Sequence, residues 1–379
     1  MASFPDNARP AALHVRDLCA SYGARTALRR VGFTVAPGEI FGILGPSGAG
    51  KTTILAALTG TMPATGTVHY GEENLSDTKP RDRRFGNVYQ EFRLFDWATV
   101  FDNVAFPCRA RRWPSAQIGR RVDWALSRVH LADLADRPVR DLSGGQSQRV
   151  ALARAIAFAP RALFLDEPFS DLDPPLRARL RADLVEFVAE TRLPTILVTH
   201  DRGEAFAVCD RIGLLFQGIL RQTGRPRELV RAPCDREAAE FLGYANAMRG
   251  ELTAVDGSRV RIAISDREWH GRLSDTATEL PCTGAQAVAL FRPSALAPAA
   301  ESPDTTNLSR LKVHAVRETE HCYLIIAAHG NDGTWTAHWP LSSPPPAPGQ
   351  TITCRVDPSD LLVFPEEDGR NGLVSRGTT

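Results

Sequence analysis

The stretch "EIFGILGPSGAGKTTILAALTG", residues 39–60, limits the fold of this chain more than any other. An apolar run leads straight into a glycine-rich turn, and a helical pattern stopped by Gly60 follows it. That is the strand, loop, helix order in which a Gly-x-x-x-x-Gly-Lys-Thr string cradles phosphate. Gly45, Gly48 and Gly50 let the main chain curl until successive N–H groups face inward, and the helix N-terminus adds its positive dipole end. The expected nucleotide-binding set is Gly45, Pro46, Ser47, Gly48, Ala49, Gly50, Lys51, Thr52 and Thr53. Within it Lys51 would bridge the β- and γ-phosphates and the Thr52 hydroxyl would ligate Mg2+. Lysine occurs only at positions 51, 79 and 312, so Lys51 stands out in a chain whose positive charge is almost all arginine.

Two further apolar runs end in polar chemistry. "ALFLDEP" carries a strand pattern into Asp166 and Glu167, a costly place for adjacent carboxylates unless a cation or a proton is handled there. Asp166 is placed to hold Mg2+, usually through water, and Glu167 is the candidate general base. "TILVTH" ends in His200, which can donate to a γ-phosphate or to the water network. Both endings fall at the carboxyl edges of expected parallel strands, where open α/β sheets bind ligands. The plain alternatives are a capped strand end for Asp166 and a surface position for His200.

A second glycine pair occurs in "LSGGQSQRVALARA", residues 142–155. Ser143 sits where an N-cap belongs, and the helix after it places Val150, Ala153 and Ala157 on one face before Pro160. Taken with "YG" at Tyr22, the phosphate loop, Gln90 in "NVYQEF", "LFLDEP", "SDLD" at 170–173 and His200, this ordered set resembles the nucleotide-binding subunits of ATP-binding cassette transporters. The resemblance implies that Ser143, Gly144, Gly145 and Gln146 face the ATP of a second copy, so that two chains close head to tail. It also implies that Tyr22 stacks on adenine, that Gln90 reaches Mg2+ and the attacking water, and that Asp173 spans the dimer interface. Asp171 stands where relatives more often carry a small residue.

At 379 residues, 43% hydrophobic and with a formal net charge of +1, the chain has room for two domains and no global field pointing to nucleic acid. Alternating strand and helix patterns argue for an α/β cassette over 11–245, with a helical subdomain at about 95–160. From 246 to 365 short runs such as "RVRIAI", "CYLIIAA" and "TITCRV" alternate with turn residues, "HGNDG" reading as a hairpin turn, which argues for a small all-β domain. By resemblance that domain is OB-like and of the kind appended to importer cassettes; 366–379 is expected to be a disordered tail. Seven scattered cysteines without a Cys-x-x-Cys pair read as free thiols. No apolar run is long enough to span a membrane, and the N-terminus lacks a secretory core, so separate permease subunits are expected.

The insertion "LFDWATVFDNVAFP" resembles the surface on which importer cassettes receive their permease. Phe95, Trp97 and Phe101 lie there and Phe92 just before it; core packing is the plain alternative for all four, with partner contact favoured for Phe95 and Trp97. The implied function is the ATP-hydrolysing motor of an importer for iron, polyamine, sugar or oxyanion. It would sit on the cytoplasmic face of the inner membrane and be fed indirectly by an extracytoplasmic solute-binding protein, with no nucleic acid as partner. The alternative is a soluble cassette ATPase acting on nucleic acid or ribosomes, a reading weakened by the absence of a dense Lys/Arg and aromatic stripe.

Overall fold

Two sheets build the first of the two units, Met1–Arg227 and Glu228–Thr379, into which the chain divides. The structure, a computed structural model, describes residues 10–170, 172–265, 267–274, 281–299, 306–329 and 333–366. Asp171, the "GND" at the centre of the expected hairpin turn and all but Glu366 of the expected tail therefore lie outside the described residues.

In chain order the first unit runs β1 (Leu13–Tyr22), β2 (Arg25–Val35), β3 (Ile40–Leu44), α1 (Lys51–Thr59), β4 (Thr65–Tyr70), β5 (Glu73–Asn74), α2 (Pro80–Arg83) and β6 (Phe85–Val88). Three longer helices follow, α3 (Val100–Ala110), α4 (Ser115–Arg128) and α5 (Gly144–Ala157). Then come β7 (Ala162–Asp166), α6 (Pro174–Thr191), β8 (Thr195–Thr199), α7 (Arg202–Val208), β9 (Arg211–Phe216) and β10 (Ile219–Gly224). The larger sheet has the order β10-β9-β3-β8-β7-β6, with β9, β3, β8, β7 and β6 parallel and β10 antiparallel. Strands β3, β7 and β8 are buried along their whole length, as continuous apolar runs in a covered parallel sheet should be.

A smaller antiparallel sheet, β2-β1-β4-β5, was not legible in the alternation of strand and helix patterns. The reason lies in β1: Asp17 takes φ 50° and the β1–β2 register shifts between Val15 and Leu18, so the period-two pattern breaks at its centre. The core lies between the two sheets. Helix α1 contributes Ile54, Leu55, Ala57 and Leu58 to it, against Leu13, Val15 and Val31 of the small sheet and Phe41, Ile43 and Phe164 of the large one.

The second unit follows α8 (Pro226–Arg231) and α9 (Arg236–Phe241) with β11 (Asn246–Asp256), β12 (Arg259–Ile264), β13 (Arg267–Leu273), β14 (Gln286–Phe291), β15 (Leu296–Pro298), β16 (Leu308–Glu318), β17 (Cys322–Ala328), β18 (Thr334–Pro340), β19 (Thr351–Val356) and β20 (Leu362–Pro365). Strands β11-β12-β13-β20-β14 close into a barrel, and β15-β19-β16-β17-β18 form a second sheet. Closure hides the barrel's edges. Trp269, Phe291 and Trp335 fill the shared core, with the Phe291 and Trp335 rings edge to face at 4.9 Å. Ala239 of α9 and Tyr244 pack with Val288, Leu290, Leu362 and Phe364, which ties the connector to the barrel. The all-β character expected of this region is what forms.

One buried charge fixes the helix that follows the phosphate loop. Arg83 is 5% exposed and spans the C-terminus of α1. Its Nη1 donates to the carbonyls of Ala57 and Leu58 at 3.1 and 2.5 Å, its Nε to Thr78 at 2.9 Å and its Nη2 to Ser76 at 2.8 Å. A cation on the last carbonyls of a helix also complements its dipole. Gly60 ends α1 at φ 74°, and a side chain there would meet the guanidinium at 2.9 Å. Arg83→Met should strand the carbonyls of Leu58, Ser76 and Thr78, that of Ala57 keeping the Gly60 N–H, and lower the stability of this unit by about 2–4 kcal/mol, read from urea unfolding. An unchanged midpoint would remove Arg83 from this role.

Candidate active site

Parallel register brings three strand ends to one edge. Leu44 of β3 pairs with Thr199 of β8, and Asp166 of β7 pairs with Val198. The next residues along the three strands are therefore Gly45, His200 and Glu167. Sequence spacing over more than 150 residues is converted into a single site by strand pairing alone.

After β3 the chain turns at once. A Cβ on Gly45 would lie 2.1 Å from the Leu215 carbonyl oxygen, and Gly50, the N-cap of α1, has φ 105°. Both positions thus require glycine, one for close approach and one for backbone conformation. Lys51 is buried and its Nζ donates to the carbonyls of Gly45 and Pro46, each at 2.9 Å. Burial pulls its pKa down, against the nearby charges of Glu167 and then Asp166. Thr52 follows on the first turn of α1, near enough to Asp166 for its hydroxyl to favour the charged carboxylate.

Asp166 is 5% exposed. Burial raises its pKa; the Thr52 hydroxyl and the Lys51 charge oppose the shift, and Glu167 adds to it. Glu167 takes φ 48°, a left-handed conformation rare for a side-chain-bearing residue and costing of order 1–3 kcal/mol. It is held there by its own N–H to Val198 (2.9 Å) and by the Ser170 hydroxyl donating to its carbonyl (3.1 Å). Its Oε1 meets His200 Nδ1 at 2.8 Å. The two candidate catalytic groups are thus already paired, a contact that spacing could not supply. With Nδ1 engaged, Nε2 is the ring nitrogen left for phosphate or water.

The remaining candidates lie on surrounding loops. Tyr22 ends β1 with 60% exposure, as a base-stacking ring needs. Gln90 is exposed two residues beyond β6. Ser143 is the N-cap of α5 and forms a capping box: its hydroxyl accepts from the Gln146 N–H and its N–H donates to Gln146 Oε1. Gln146 therefore serves the helix start, a Ser-x-x-Gln signal that the glycines overshadowed. A Cβ on Gly145 would meet Leu176 Cδ2 at 2.5 Å, whereas one on Gly144 would meet nothing within 4 Å. Packing against α6 thus explains one of the two glycines without any nucleotide. Asp173 caps α6, accepting from the Leu176 N–H at 3.0 Å.

Arg154, unremarked in the sequence, reaches from α5 to the carbonyls of Phe92 and Arg93 at 2.6 and 2.7 Å and so holds the loop after Gln90. Trp97 is 85% exposed and Phe95 half-buried, and Phe95 also packs edge to face on Phe106 at 4.8 Å. Phe92 and Phe101 are half-buried.

Residues 28–170 match the ABC transporter family. The spermidine/putrescine import ATP-binding protein PotA of Pseudomonas aeruginosa is 39% identical over 256 residues, covering 67% of this chain and 70% of that protein. The sulfate/thiosulfate import ATP-binding protein CysA of Nitrosomonas europaea is 42% identical over 245 residues, covering 63% and 68%. Among solved structures, cbiO1 of Clostridium perfringens, part of the ABC transporter complex cbiONQ, matches with a TM-score of 0.54 and 30% identity over 58% of this chain and 91% of that one. The chain belongs to the ATP-binding subunits of ABC transporters. It is an ATPase of the importer branch, and it couples ATP hydrolysis to solute transport. Its fold is the cassette with its mixed sheet, followed by the all-β barrel region.

For this ATPase the electrostatics of the strand ends carry a pH signature. The pKa of Asp166 in the folded chain lies above its ordinary value, so its contribution to stability is complete below the ordinary carboxylate range and is lost as pH rises through the raised pKa. At neutral pH and without nucleotide the buried carboxylate is a burden on the fold. Asp166→Asn keeps a partner for Thr52, and Glu167, the larger of the two charges acting on Lys51, remains. Thermal melts in chelator should give the variant a higher Tm than the parent at pH 8, with the gap closing toward pH 4. A gap independent of pH would mean that Asp166 is not strained by charge.

Proposed function

We propose that this ATPase drives a binding-protein-dependent importer for a polyamine or a small oxyanion. It would work as a head-to-tail dimer beneath separate permease subunits, peripheral to the cytoplasmic face of the inner membrane and supplied indirectly by an extracytoplasmic solute-binding protein. The observation that carries the catalytic reading is the convergence of Lys51, Asp166, Glu167 and His200 on one sheet edge, with Glu167 already bonded to His200. The cargo classes follow the named cargoes of the two relatives, spermidine or putrescine and sulfate or thiosulfate. No helix among the described residues is long and apolar enough to cross a membrane. We set aside action on nucleic acid, because both relatives are named as import subunits.

Each residue then has a physical task. ATP entering the loop offers Lys51 phosphate oxygens in place of the Gly45 and Pro46 carbonyls. Tyr22 stacks on the adenine. Glu167, aimed by His200, accepts the proton of the attacking water, while His200 Nε2 donates toward the γ-phosphate. The all-oxygen set of Thr52 and Asp166, which lie close together, suits a hard cation that takes its other ligands from phosphate and water, with the Gln90 amide on the adjacent loop. Mg2+ held there would neutralise charge on the phosphates.

The open face of Gly144 supports the trans role of Ser143, Gly144, Gly145 and Gln146, and Asp173 would lie at the dimer contact. Phe95, Trp97 and Phe106 form the aromatic surface offered to the permease, with Asn103 fixing Phe95 through bonds of 2.8 and 3.1 Å. We take 11–245 as the nucleotide-binding span and 246–365 as the accessory domain.

Glu167→Gln should retain ATP binding while turnover falls by about two orders of magnitude or more, measured by phosphate release. Wild-type turnover would take the base role from Glu167. Lys51→Ala and Ser143→Arg chains should each be inactive alone and regain activity when mixed, since a mixed dimer holds one intact composite site. No recovery at any ratio would refute the head-to-tail arrangement.

A further inference from the structure

The buried acid Glu204 has no part in the chemistry above. It is 3% exposed, on α7, five residues after the end of β8. Its Oε2 accepts the Thr199 hydroxyl at 2.9 Å. That same Thr199 oxygen accepts the Asp201 N–H at 3.0 Å, and Asp201 Oδ1 accepts the Glu204 N–H at 2.9 Å. The three bonds form a closed ring around one residue, His200. On its other side the Glu204 carboxylate faces α6, with Arg181 Nη2 at 3.4 Å and Arg177 Nε at 3.9 Å from Oε1. Arg177 Nη2 also donates to the Leu172 carbonyl at 3.0 Å, in the turn between Glu167 and the Asp173 cap.

An acid this deeply buried is costly unless paired and hydrogen-bonded, and here both conditions are met by groups that flank the catalytic pair. A helix start needs only its cap, and Asp201 supplies it. The Glu204 carboxylate goes further, bracing the hydroxyl that bridges the main chain on either side of His200.

We propose that Glu204 is a positioning residue for the catalytic pair: anchored on α6 by Arg181 and Arg177, it holds the Thr199 hydroxyl and through it sets the turn that presents His200 Nδ1 to Glu167. This rests on the reading of Glu167 and His200 given above. Because Arg177 also grips the turn that leads into Asp173, displacement of that turn is transmitted to His200 along the same side chains.

The test uses full-length chains, steady-state ATP turnover with Mg2+, and folded fractions checked by circular dichroism. Thr199→Val removes the bridging hydroxyl at constant shape, and Glu204→Ala removes its brace. Each should lower kcat about tenfold with KM for ATP changed less than about twofold, and Thr199→Ser should restore most of the rate. Placed in a His200→Ala chain, either substitution should cost less than about twofold more, because a residue acting only through His200 has nothing left to position.

A purely structural role predicts the opposite, losses that multiply in the His200→Ala background and track the folded fraction, and that result overturns the proposal. Should Glu204→Ala fail to fold, the Thr199→Val and Thr199→Ser pair decides alone. Wild-type turnover in His200→Ala would instead refute the reading of the site, whereas a slow His200→Ala beside a fast Thr199→Val would refute only the role of Glu204.

Discussion

Three neighbouring buried strands end in charge or in a charge-binding turn, and most of the first unit is arranged around that one constraint. β3 runs into the Gly45 turn and Lys51, β7 into Asp166 and Glu167, and β8 into His200, all in register. Water would stabilise these groups cheaply, but burial keeps it from Lys51 and Asp166, while His200 stays exposed. The chain meets them with groups of its own. Lys51 turns back on two carbonyls, Thr52 lies close to Asp166, Glu167 pairs with His200, and the Asp166 pKa rises. Under the proposed mechanism each of these groups has a second partner in the nucleotide, its Mg2+ or the attacking water. On that reading, binding exchanges one set of polar partners for another.

That exchange explains why the surroundings are braced so heavily. Arg83 seals the far end of the helix that starts at Lys51, so the loop can change partners without the helix unravelling. Glu204 does the corresponding work for His200, and Arg154 for the loop after Gln90. Arg83 and Glu204 are buried and Arg154 half-buried, and each reaches main-chain or hydroxyl groups rather than a candidate functional residue itself. Rigid support around a strained residue is also what the φ of 48° at Glu167 requires, since an unsupported chain would relax it.

How far the sequence disclosed this follows from the range of each interaction. The phosphate loop, the Asp166–Glu167 strand end and the Ser143 cap were legible because their chemistry is local, fixed by neighbours within a few residues. The pairing of Glu167 with His200 spans 33 residues and needed the strand register. Arg83, Arg154 and Glu204 were silent because an arginine or glutamate on a helix reads as a solvated face; only burial distinguishes them. The small antiparallel sheet was hidden by a bulge at Asp17, and Gln146 by the glycines beside it. The second unit was legible as all-β, because alternation survives in short strands between turn residues.

The glycine pair in the Ser143 turn shows why a motif needs its structure. Both glycines invite one explanation, close approach of a phosphate. Gly145 is instead accounted for by Leu172 and Leu176, which would collide with any side chain there, at the start of the helix capped by Asp173. Only Gly144 keeps an open face. The turn is therefore locked to α6 on one side and free on the other, and α6 is also the helix whose Arg177 and Arg181 face Glu204. A ligand pressing on the open face of Gly144 would act on the packing of Gly145 and, through α6, on the turn that aims His200. The Ser143 turn and the Glu167–His200 pair of one chain are in this way linked through α6, although in the proposed dimer the nucleotide that the turn would touch belongs to the other chain.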